Sequence, residues 1–208
     1  MSPLLTVRDL RVTFPMRTGR VEAVRGVSFE LGRERLGIVG ESGSGKSQTG
    51  RAIMGLTPRY AEISATELTF DGIDLLSAPP KLRRKLRGER IAMILQDPKY
   101  SLNPVMSIGR QIVETLRAHR NVSKAEARDR TMAMLEAVQI RDPRRVFDLF
   151  AHEVSGGMGQ RAMIAMMLIS EPDLLIADEP TSALDVTVQL EVLRVLDRLV
   201  SDRGMGLI

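Results

Sequence analysis

The stretch "GESGSGKS", residues 40–47, matches the phosphate-binding P-loop pattern G-x-x-x-x-G-K-[ST] at every fixed position. The short apolar run "RLGIVG" (35–40) precedes it and the helical pattern "KSQTGRAIMGL" (46–56) follows it, which predicts the order strand, loop, helix. The glycines allow the backbone to turn tightly around phosphate oxygens, and the N-terminus of the following helix favours negative charge. The stretch therefore predicts a nucleotide-binding α/β fold.

The side chains and backbone N–H groups of the whole P-loop are the predicted nucleotide contacts. Lys46 is predicted to reach the terminal phosphates of ATP, and the Ser47 hydroxyl is predicted to ligand Mg²⁺. The complete predicted set is Gly40, Glu41, Ser42, Gly43, Ser44, Gly45, Lys46 and Ser47.

A P-loop also requires a carboxylate at the end of a neighbouring strand, and "LLIADEP" (174–180) supplies one. Four apolar residues predict a buried strand, after which Asp178 and Glu179 emerge. Asp178 is predicted to hold Mg²⁺, and Glu179 is predicted to polarise the attacking water. By itself the pair could be a solvated strand end, but the upstream P-loop favours the catalytic interpretation.

The arrangement of apolar segments predicts the fold class. "LLTVRDLRVTF" (4–14) and "VEAVRGVSFEL" (21–31) alternate like half-buried antiparallel strands, whereas "IAMILQD" (91–97) and "DLLIAD" (173–178) are continuous buried strands among helices. We therefore expect an α/β P-loop NTPase with a RecA-like, mainly parallel core, an N-terminal antiparallel β subdomain and an inserted α-helical subdomain.

The predicted domain division follows from the same pattern. Residues 1–97 and 162–208 are assigned to the nucleotide-binding core with its β subdomain, and residues 98–161 to the helical insertion that carries the second glycine-rich loop. Pro98 is predicted to interrupt the strand that precedes the insertion. The turn signal Asp71-Gly72 predicts a hairpin between two short strands.

Composition excludes several classes of protein. The chain of 208 residues has a net charge of +4 and no cysteine, so disulfides and cysteine-ligated metal are ruled out. No apolar run approaches the roughly 18 residues of a membrane span, and the first twenty residues do not resemble a signal peptide. We therefore expect a cytosolic chain that reaches a membrane only through a partner.

Three features receive structural interpretations. The basic stretch "KLRRKLRGER" (81–90) has no interleaved aromatic residues, so it predicts a solvated helix face and no nucleic-acid site. The methionines of "AMIAMML" (162–168) are predicted to pack in the core. His119 and His152 have no neighbours at ligand spacing, and no metal role is expected for either.

The second glycine-rich loop, "VSGGMGQR" (154–161), contains no catalytic nucleophile, acid or metal ligand. It is one of five motifs in a fixed order, which are "GESGSGKS", Gln96 in "ILQDP", "VSGGMGQR", "LLIADEPT" and "SALD" (182–185). In this order they resemble the ATPase subunits of ABC transporters, over nearly the whole chain. The stretches "QDPKYSLNPVMSIGRQI" and "SGGMGQRAMIAMMLISEPDLLIADEPTSALDVTVQ" look like the dipeptide, oligopeptide and nickel import branch, and "IRDPRRVFDLF" (140–150) resembles the first of that branch's two ATPases.

The resemblance implies a role for this second loop. In ABC ATPases two subunits close head to tail, so Ser155, Gly156 and Gly157 would contact the γ-phosphate of ATP bound by the partner, with the following helix pointing its N-terminus at that charge. The alternative is an ordinary helix N-cap at Ser155 with permissive glycines.

The resemblance implies roles for three further residues that match motifs of this family. Gln96 resembles the residue that senses Mg²⁺ or water and links the core to the insertion, so it joins Glu179 and Lys46 as a predicted catalytic residue and Ser47 and Asp178 as a predicted metal-site residue. Phe14 resembles the aromatic that stacks on adenine, although "RVTF" alone supports it and Phe14 could be a core residue. Asp185 resembles an interface aspartate.

The resemblance also implies the function and partners. It predicts an ATPase subunit that couples ATP to uptake of peptides, or nickel and related small solutes, at the cytoplasmic face of the bacterial inner membrane. Expected partners are a second ATP-binding subunit, in this branch usually a different paralogue, two permease subunits docked at the insertion, and an extracytoplasmic solute-binding protein. The alternatives are a non-hydrolysing or inactive ATP-binding subunit and a DNA-repair-type ATPase, although the latter usually separates its motifs by long heptad segments.

The sequence departs from the family pattern at two places. Val154 stands where leucine is usual, a small change in volume. The chain ends at Ile208, before the position of the family's switch histidine, so ATP binding is expected to persist and hydrolysis to be reduced.

Overall fold

The computed structural model describes residues 2–17, 19–96, 101–182 and 184–208. They form two compact units, Met1–Arg87 with Gly206–Ile208, and Gly88–Met205. The division at residues 97/98 and 161/162 stays a prediction, and Pro98 lies outside the described residues.

The elements of the first unit are β1 Leu5–Met16, β2 Gly19–Leu31, α1 Lys46–Met54, β3 Glu62–Ser64, β4 Glu67–Phe70, β5 Ile73–Asp74, α2 Pro80–Glu89 (its last two residues lie beyond Arg87) and β8 Gly206–Leu207. Its antiparallel sheet has the strand order β2-β1-β4-β5, and β3 pairs with β1. The turn at Asp71 and Gly72, with φ of 48° and 76°, connects β4 and β5, which confirms the predicted hairpin.

Apolar alternation on β1 builds the core of this unit. Leu5, Val7, Leu10 and Val12 are fully buried, while Arg8 on the opposite face bonds Glu30 and Glu67. α1 buries Ile53 and Met54 and packs against β1 and β2. The predicted antiparallel strands and the helix after the P-loop are therefore confirmed.

The strand predicted for "RLGIVG" (35–40) is wrong. Arg35 forms an isolated bridge with Leu207, and Leu36 donates its N–H to the Leu207 carbonyl at 2.8 Å, but 36–40 is not a strand and Val39 is 97% exposed. A strand exists only where a neighbour accepts and donates its backbone hydrogen bonds. Among the described residues the bridge stops at Arg35, and no ladder extends along 36–40.

The second unit contains the parallel pair of β6 Ile91–Ile94 and β7 Leu174–Ala177, as predicted. The register is Ile91↔Leu174 through Ile94↔Ala177, so both strands end at the same edge. All four residues of β6 are buried. The helices of this unit are α3 Ile108–His119, α4 Lys124–Ala137, α5 Pro143–Asp148, α6 Gly156–Leu168 and α7 Val186–Asp202, with a 3-10 turn at Ala151–Glu153.

The helices pack around α3, whose Ile108, Ile112 and Leu116 are fully buried. α3 contacts α4, α5 and α6, and α6 also packs on β6. α6 buries Met163 and Met166, which confirms the predicted core role for two of the three methionines of 162–168, whereas Met167 is half-buried. No helix among the described residues has the length and apolarity that crossing a bilayer requires.

Candidate active site

The P-loop (40–47) leads into α1 in the first unit, and its last two residues are the first two of the helix. Gly45 is the N-cap of α1 with φ of +94°, and a Cβ at this position would lie 2.2 Å from the Ala23 carbonyl oxygen on β2. The Lys46 ammonium donates to the carbonyl oxygens of Gly40 at 2.8 Å and Glu41 at 3.0 Å. Only glycine at position 45 allows this close approach between the loop and the sheet.

The donor set of the loop fits a polyphosphate. The first backbone N–H groups of α1 have no partner within the helix, and their dipoles favour an anion there. Lys46 and Ser47 lie on the first turn of α1, both half-buried, so a cation and a hydroxyl accompany those N–H groups. The ammonium can donate to phosphate oxygens, and the hydroxyl oxygen is a ligand type that Mg²⁺ accepts.

Phe14, the predicted adenine-stacking residue, lies near the end of β1 and is half-buried. Its ring makes an edge contact with Tyr60, with ring centroids 6.1 Å apart and an interplanar angle of 63°. Tyr60 is 63% exposed and was not singled out from the sequence, since it lies in an irregular segment without a motif. The stacking role of Phe14 stays a prediction.

In the second unit, the carboxyl ends of β6 and β7 bring three predicted site residues together. The Asp178 N–H donates to the Ile94 carbonyl at 2.9 Å, which extends the parallel pairing by one bond. The Gln96 amide donates to Glu179 Oε2 at 3.1 Å. Glu179 has φ of +47°, a conformation that is uncommon for a residue with a side chain.

This geometry suits the roles that the sequence predicts. Glu179 is exposed, so its carboxylate is accessible to water, whereas Asp178 is half-buried. The described residues contain no cluster of three or more His, Asp or Glu that could cage an ion. Mg²⁺ commonly takes one or two protein carboxylates together with phosphate oxygens, so Asp178 is a sufficient carboxylate ligand. The catalytic and metal roles of these residues stay predictions.

Gln160 belongs to the second glycine-rich motif, but no role was predicted for it from the sequence. It is 1% exposed, and its side-chain amide donates to the carbonyl oxygen of Pro180, which follows Glu179. A buried amide bonded to this carbonyl helps to fix the turn that holds Glu179 in its positive-φ conformation. The sequence offers two signals for it, its place in that motif and a polar side chain among the apolar residues of α6.

The second glycine-rich loop forms the start of α6. Ser155 is the N-cap, and its Oγ accepts a hydrogen bond from the Met158 N–H at 3.4 Å, so the capping interpretation fits the geometry. Ser155 and Gly156 are exposed. Asp185 caps α7 in the same way, accepting from the Val188 N–H at 3.1 Å. The role of Ser155, Gly156 and Gly157 toward a partner's ATP stays a prediction.

Both helix starts open on one cavity of about 720 Å³. Ser155 and Asp185 line it together with three basic residues, Arg141, Arg145 and Arg161. Four carboxylates also line it, those of Asp142, Glu153, Asp185 and Glu191, so acidic side chains outnumber basic ones and only the two helix N-termini favour an anion there.

We predict that Gly157→Ala lowers the free energy of unfolding by about 1–3 kcal/mol, as overpacking does in other proteins. A Cβ at this position would lie 2.6 Å from Cγ1 of Val188 on α7. Gly156→Ala is the matched control, because its nearest obstacle, a methyl group of Leu184, is at 3.5 Å. Urea unfolding measures both.

The double variant Gly157→Ala/Val188→Ala tests the cause of this loss. Removal of the valine methyl groups is expected to relieve the contact, so the two changes should be non-additive by more than about 0.5 kcal/mol. Strictly additive effects, or an equal loss in Gly156→Ala, would show that the close contact of Gly157 is not responsible.

Comparison with known proteins agrees with this geometry. The profile of the ABC transporter family matches residues 24–182. The chain belongs to the ABC transporter family. The family assignment made from the motifs is therefore confirmed.

The related proteins within this family carry peptide-transport names. The chain is 50% identical over 206 residues to the oligopeptide transport ATP-binding protein OppD of Escherichia coli K12, which covers 99% of this chain and 61% of that protein. It is 46% identical to the dipeptide transport ATP-binding protein DppD of Haemophilus influenzae, covering 99% of this chain and 62% of that protein. The chain thus spans about three fifths of the length of these ABC relatives.

Solved ABC structures share the fold. The ATP-binding cassette MJ0796, in a dimer bound to ADP and Pi, superimposes with a TM-score of 0.81 at 23% identity, covering 98% of this chain and 85% of that chain. CbiO1 of Clostridium perfringens, part of an ABC transporter complex, gives a TM-score of 0.79 at 25% identity, covering 100% of this chain and 78% of that chain. The predicted α/β P-loop NTPase fold class is confirmed.

Proposed function

We propose that this chain is the ATP-binding subunit of an ABC importer that couples binding and hydrolysis of ATP to the uptake of peptides. The P-loop geometry carries the proposal, since Lys46 lies over the loop and Gly45 lies against the sheet. The names of the OppD and DppD relatives support peptides over nickel as the transported solute.

Different residues would bind the phosphates, hold Mg²⁺ and activate the attacking water. The P-loop backbone and Lys46 hold the phosphates of ATP, while Ser47 and Asp178 hold Mg²⁺, which neutralises phosphate charge when it is bound. Glu179 accepts the proton of the attacking water, and the Gln96 amide orients its carboxylate. The ring of Phe14 stacks on adenine.

We propose a peripheral position on the cytoplasmic face of the inner membrane. Residues 98–161 would form the helical insertion that docks two permease subunits, and a solute-binding protein would deliver the peptide. A second ATP-binding subunit would face this one, so that Ser155, Gly156 and Gly157 contact the γ-phosphate that the partner holds. The dimeric cassette among the structural neighbours supports this arrangement, and the import branch favours a different paralogue as the second subunit.

The proposal is tested by Lys46→Ala. We expect its affinity for Mg-ATP to fall by about 10- to 100-fold, because one or two charge-assisted hydrogen bonds to phosphate are removed. Isothermal titration calorimetry measures the dissociation constant. Lys124→Ala removes the same charge from the exposed start of α4 and serves as the control. Unchanged affinity in Lys46→Ala would contradict the assignment of the nucleotide site.

A further inference from the structure

We propose that a basic groove in the first unit binds the phosphate headgroups of anionic phospholipids. The groove lies beside the end of α1, near β3, and against one side of α2. It has a volume of about 470 Å³, and four arginines line it, Arg59, Arg83, Arg84 and Arg87. This site is separate from the P-loop and does not depend on the proposed function.

The charges of the groove are mostly uncompensated. Arg87 donates to the Met54 carbonyl at 3.1 Å, so one guanidinium serves the C-terminal end of α1, where a cation is favourable. Within the described part of the chain, Arg59, Arg83 and Arg84 form no ion pair and donate no side-chain hydrogen bond. Arg83 is half-buried and lines the groove, so its guanidinium group can donate hydrogen bonds to an anion that binds there.

Like charges gathered in one concavity repel each other unless an anion joins them. Helix stabilisation accounts for Arg87, but it accounts for neither Arg59 nor Arg84, which are exposed at the rim of the groove. Guanidinium groups bind phosphate oxygens with paired hydrogen bonds, so phosphate is the anion that this set recognises best.

The surroundings of the groove favour a lipid surface over other phosphates. Lys81 and Lys85 are exposed on α2, so the helix and Arg59 together present six basic side chains, while Leu86 faces the core. A basic amphipathic helix with a cluster of this size is typical of binding to anionic lipid. No aromatic side chain is among the described residues that line the groove, and base stacking on a nucleic acid would need one.

The test is sedimentation of the full chain with vesicles. The vesicles contain phosphatidylglycerol and phosphatidylcholine in equal amounts, and phosphatidylcholine alone serves as the uncharged comparison. Arg59→Gln/Arg84→Gln is the test variant, since both side chains are exposed and outside the nucleotide site. Arg117→Gln/Arg144→Gln, two exposed arginines of the second unit, removes the same charge elsewhere. Circular dichroism confirms that each variant is folded.

We expect the chain to sediment with the vesicles that contain phosphatidylglycerol and not with those of phosphatidylcholine. The bound fraction should fall as the salt concentration is raised. Each basic side chain near such a surface contributes about fivefold in affinity, so the groove variant should bind about 25-fold more weakly, and the control variant should resemble the parent. Equal losses in both variants would overturn the proposal, because net charge would then explain the binding.

Two competitors complete the experiment. Inorganic phosphate and a single-stranded oligonucleotide are added separately at fixed ionic strength, with Mg-ATP present to occupy the P-loop. If neither releases the chain from the vesicles, the lipid assignment stands. Release by low concentrations of phosphate, or by the oligonucleotide with the same sensitivity to Arg59→Gln/Arg84→Gln, would assign the groove to soluble anions or nucleic acid and overturn it.

Discussion

Replacement of Glu179 by glutamine is expected to slow ATP hydrolysis by a factor of about 10²–10⁴, the usual contribution of a general base. The amide cannot accept the proton of the attacking water. It can still accept the hydrogen bond from Gln96, which is 3.1 Å long in the parent, so the geometry at the end of β7 should persist. Phosphate release at saturating Mg-ATP measures the rate, and calorimetry should show an ATP affinity close to that of the parent.

Glu171→Gln is the matched control, because Glu171 is exposed and also has positive φ, 55°, in the segment before β7. It should hydrolyse ATP at the parental rate. An equal decline in both variants would mean that the loss of a surface carboxylate, and not the loss of a base at position 179, slows the reaction. A parental rate in Glu179→Gln would remove Glu179 from the mechanism.

Gly45→Ala is expected to weaken ATP binding by about 100-fold or more. The added Cβ would lie 2.2 Å from the Ala23 carbonyl oxygen, and a backbone atom in a paired strand cannot move aside as a side-chain tip can. The loop must therefore leave the sheet, and the phosphate contacts of the loop are lost with it. Backbone strain of about 1–3 kcal/mol at positive φ adds to the loss.

Gly43→Ala separates these two causes. Gly43 also has positive φ, +82°, but a Cβ there would meet no atom within 4 Å. This variant should show the strain alone, with a loss in affinity of about fivefold to tenfold, from roughly 1 kcal/mol of strain. If Gly43→Ala and Gly45→Ala bound ATP equally weakly, the approach of the loop to β2 would not be the deciding contact.

Most elements could be predicted because their signals are local. The P-loop pattern, the alternation on β1 and the continuous apolar runs of β6 and β7 depend on residues close in sequence, and the structure confirms each element. The strand prediction for residues 35–40 was wrong for a physical reason. Its apolar run is typical of a strand, but a strand also needs a hydrogen-bonding neighbour, and that neighbour is not a property of the run itself.

The candidate site shows the same limit. Gln96, Asp178 and Glu179 were predicted from motifs, and the parallel register of β6 and β7 brings them together. Gln160 lies in the motif "VSGGMGQR", but its role was missed because it depends on one contact with Pro180, twenty positions away in the chain. A motif identifies the residue, whereas the hydrogen-bond partner of its side chain depends on the tertiary fold and leaves no periodic trace in the sequence.

The cavity where α6 and α7 begin has a consequence for how quickly an assembly could form. Its three arginines are offset by four carboxylates, so the positive field that remains comes from the two helix N-termini and is confined to the first turn of each helix. A field of such short range would not orient a phosphate-bearing surface from a distance, so the rate of encounter would depend on diffusion. The glycine-rich start of α6 would therefore act only after two surfaces have met, and the rate of their meeting should change little with ionic strength.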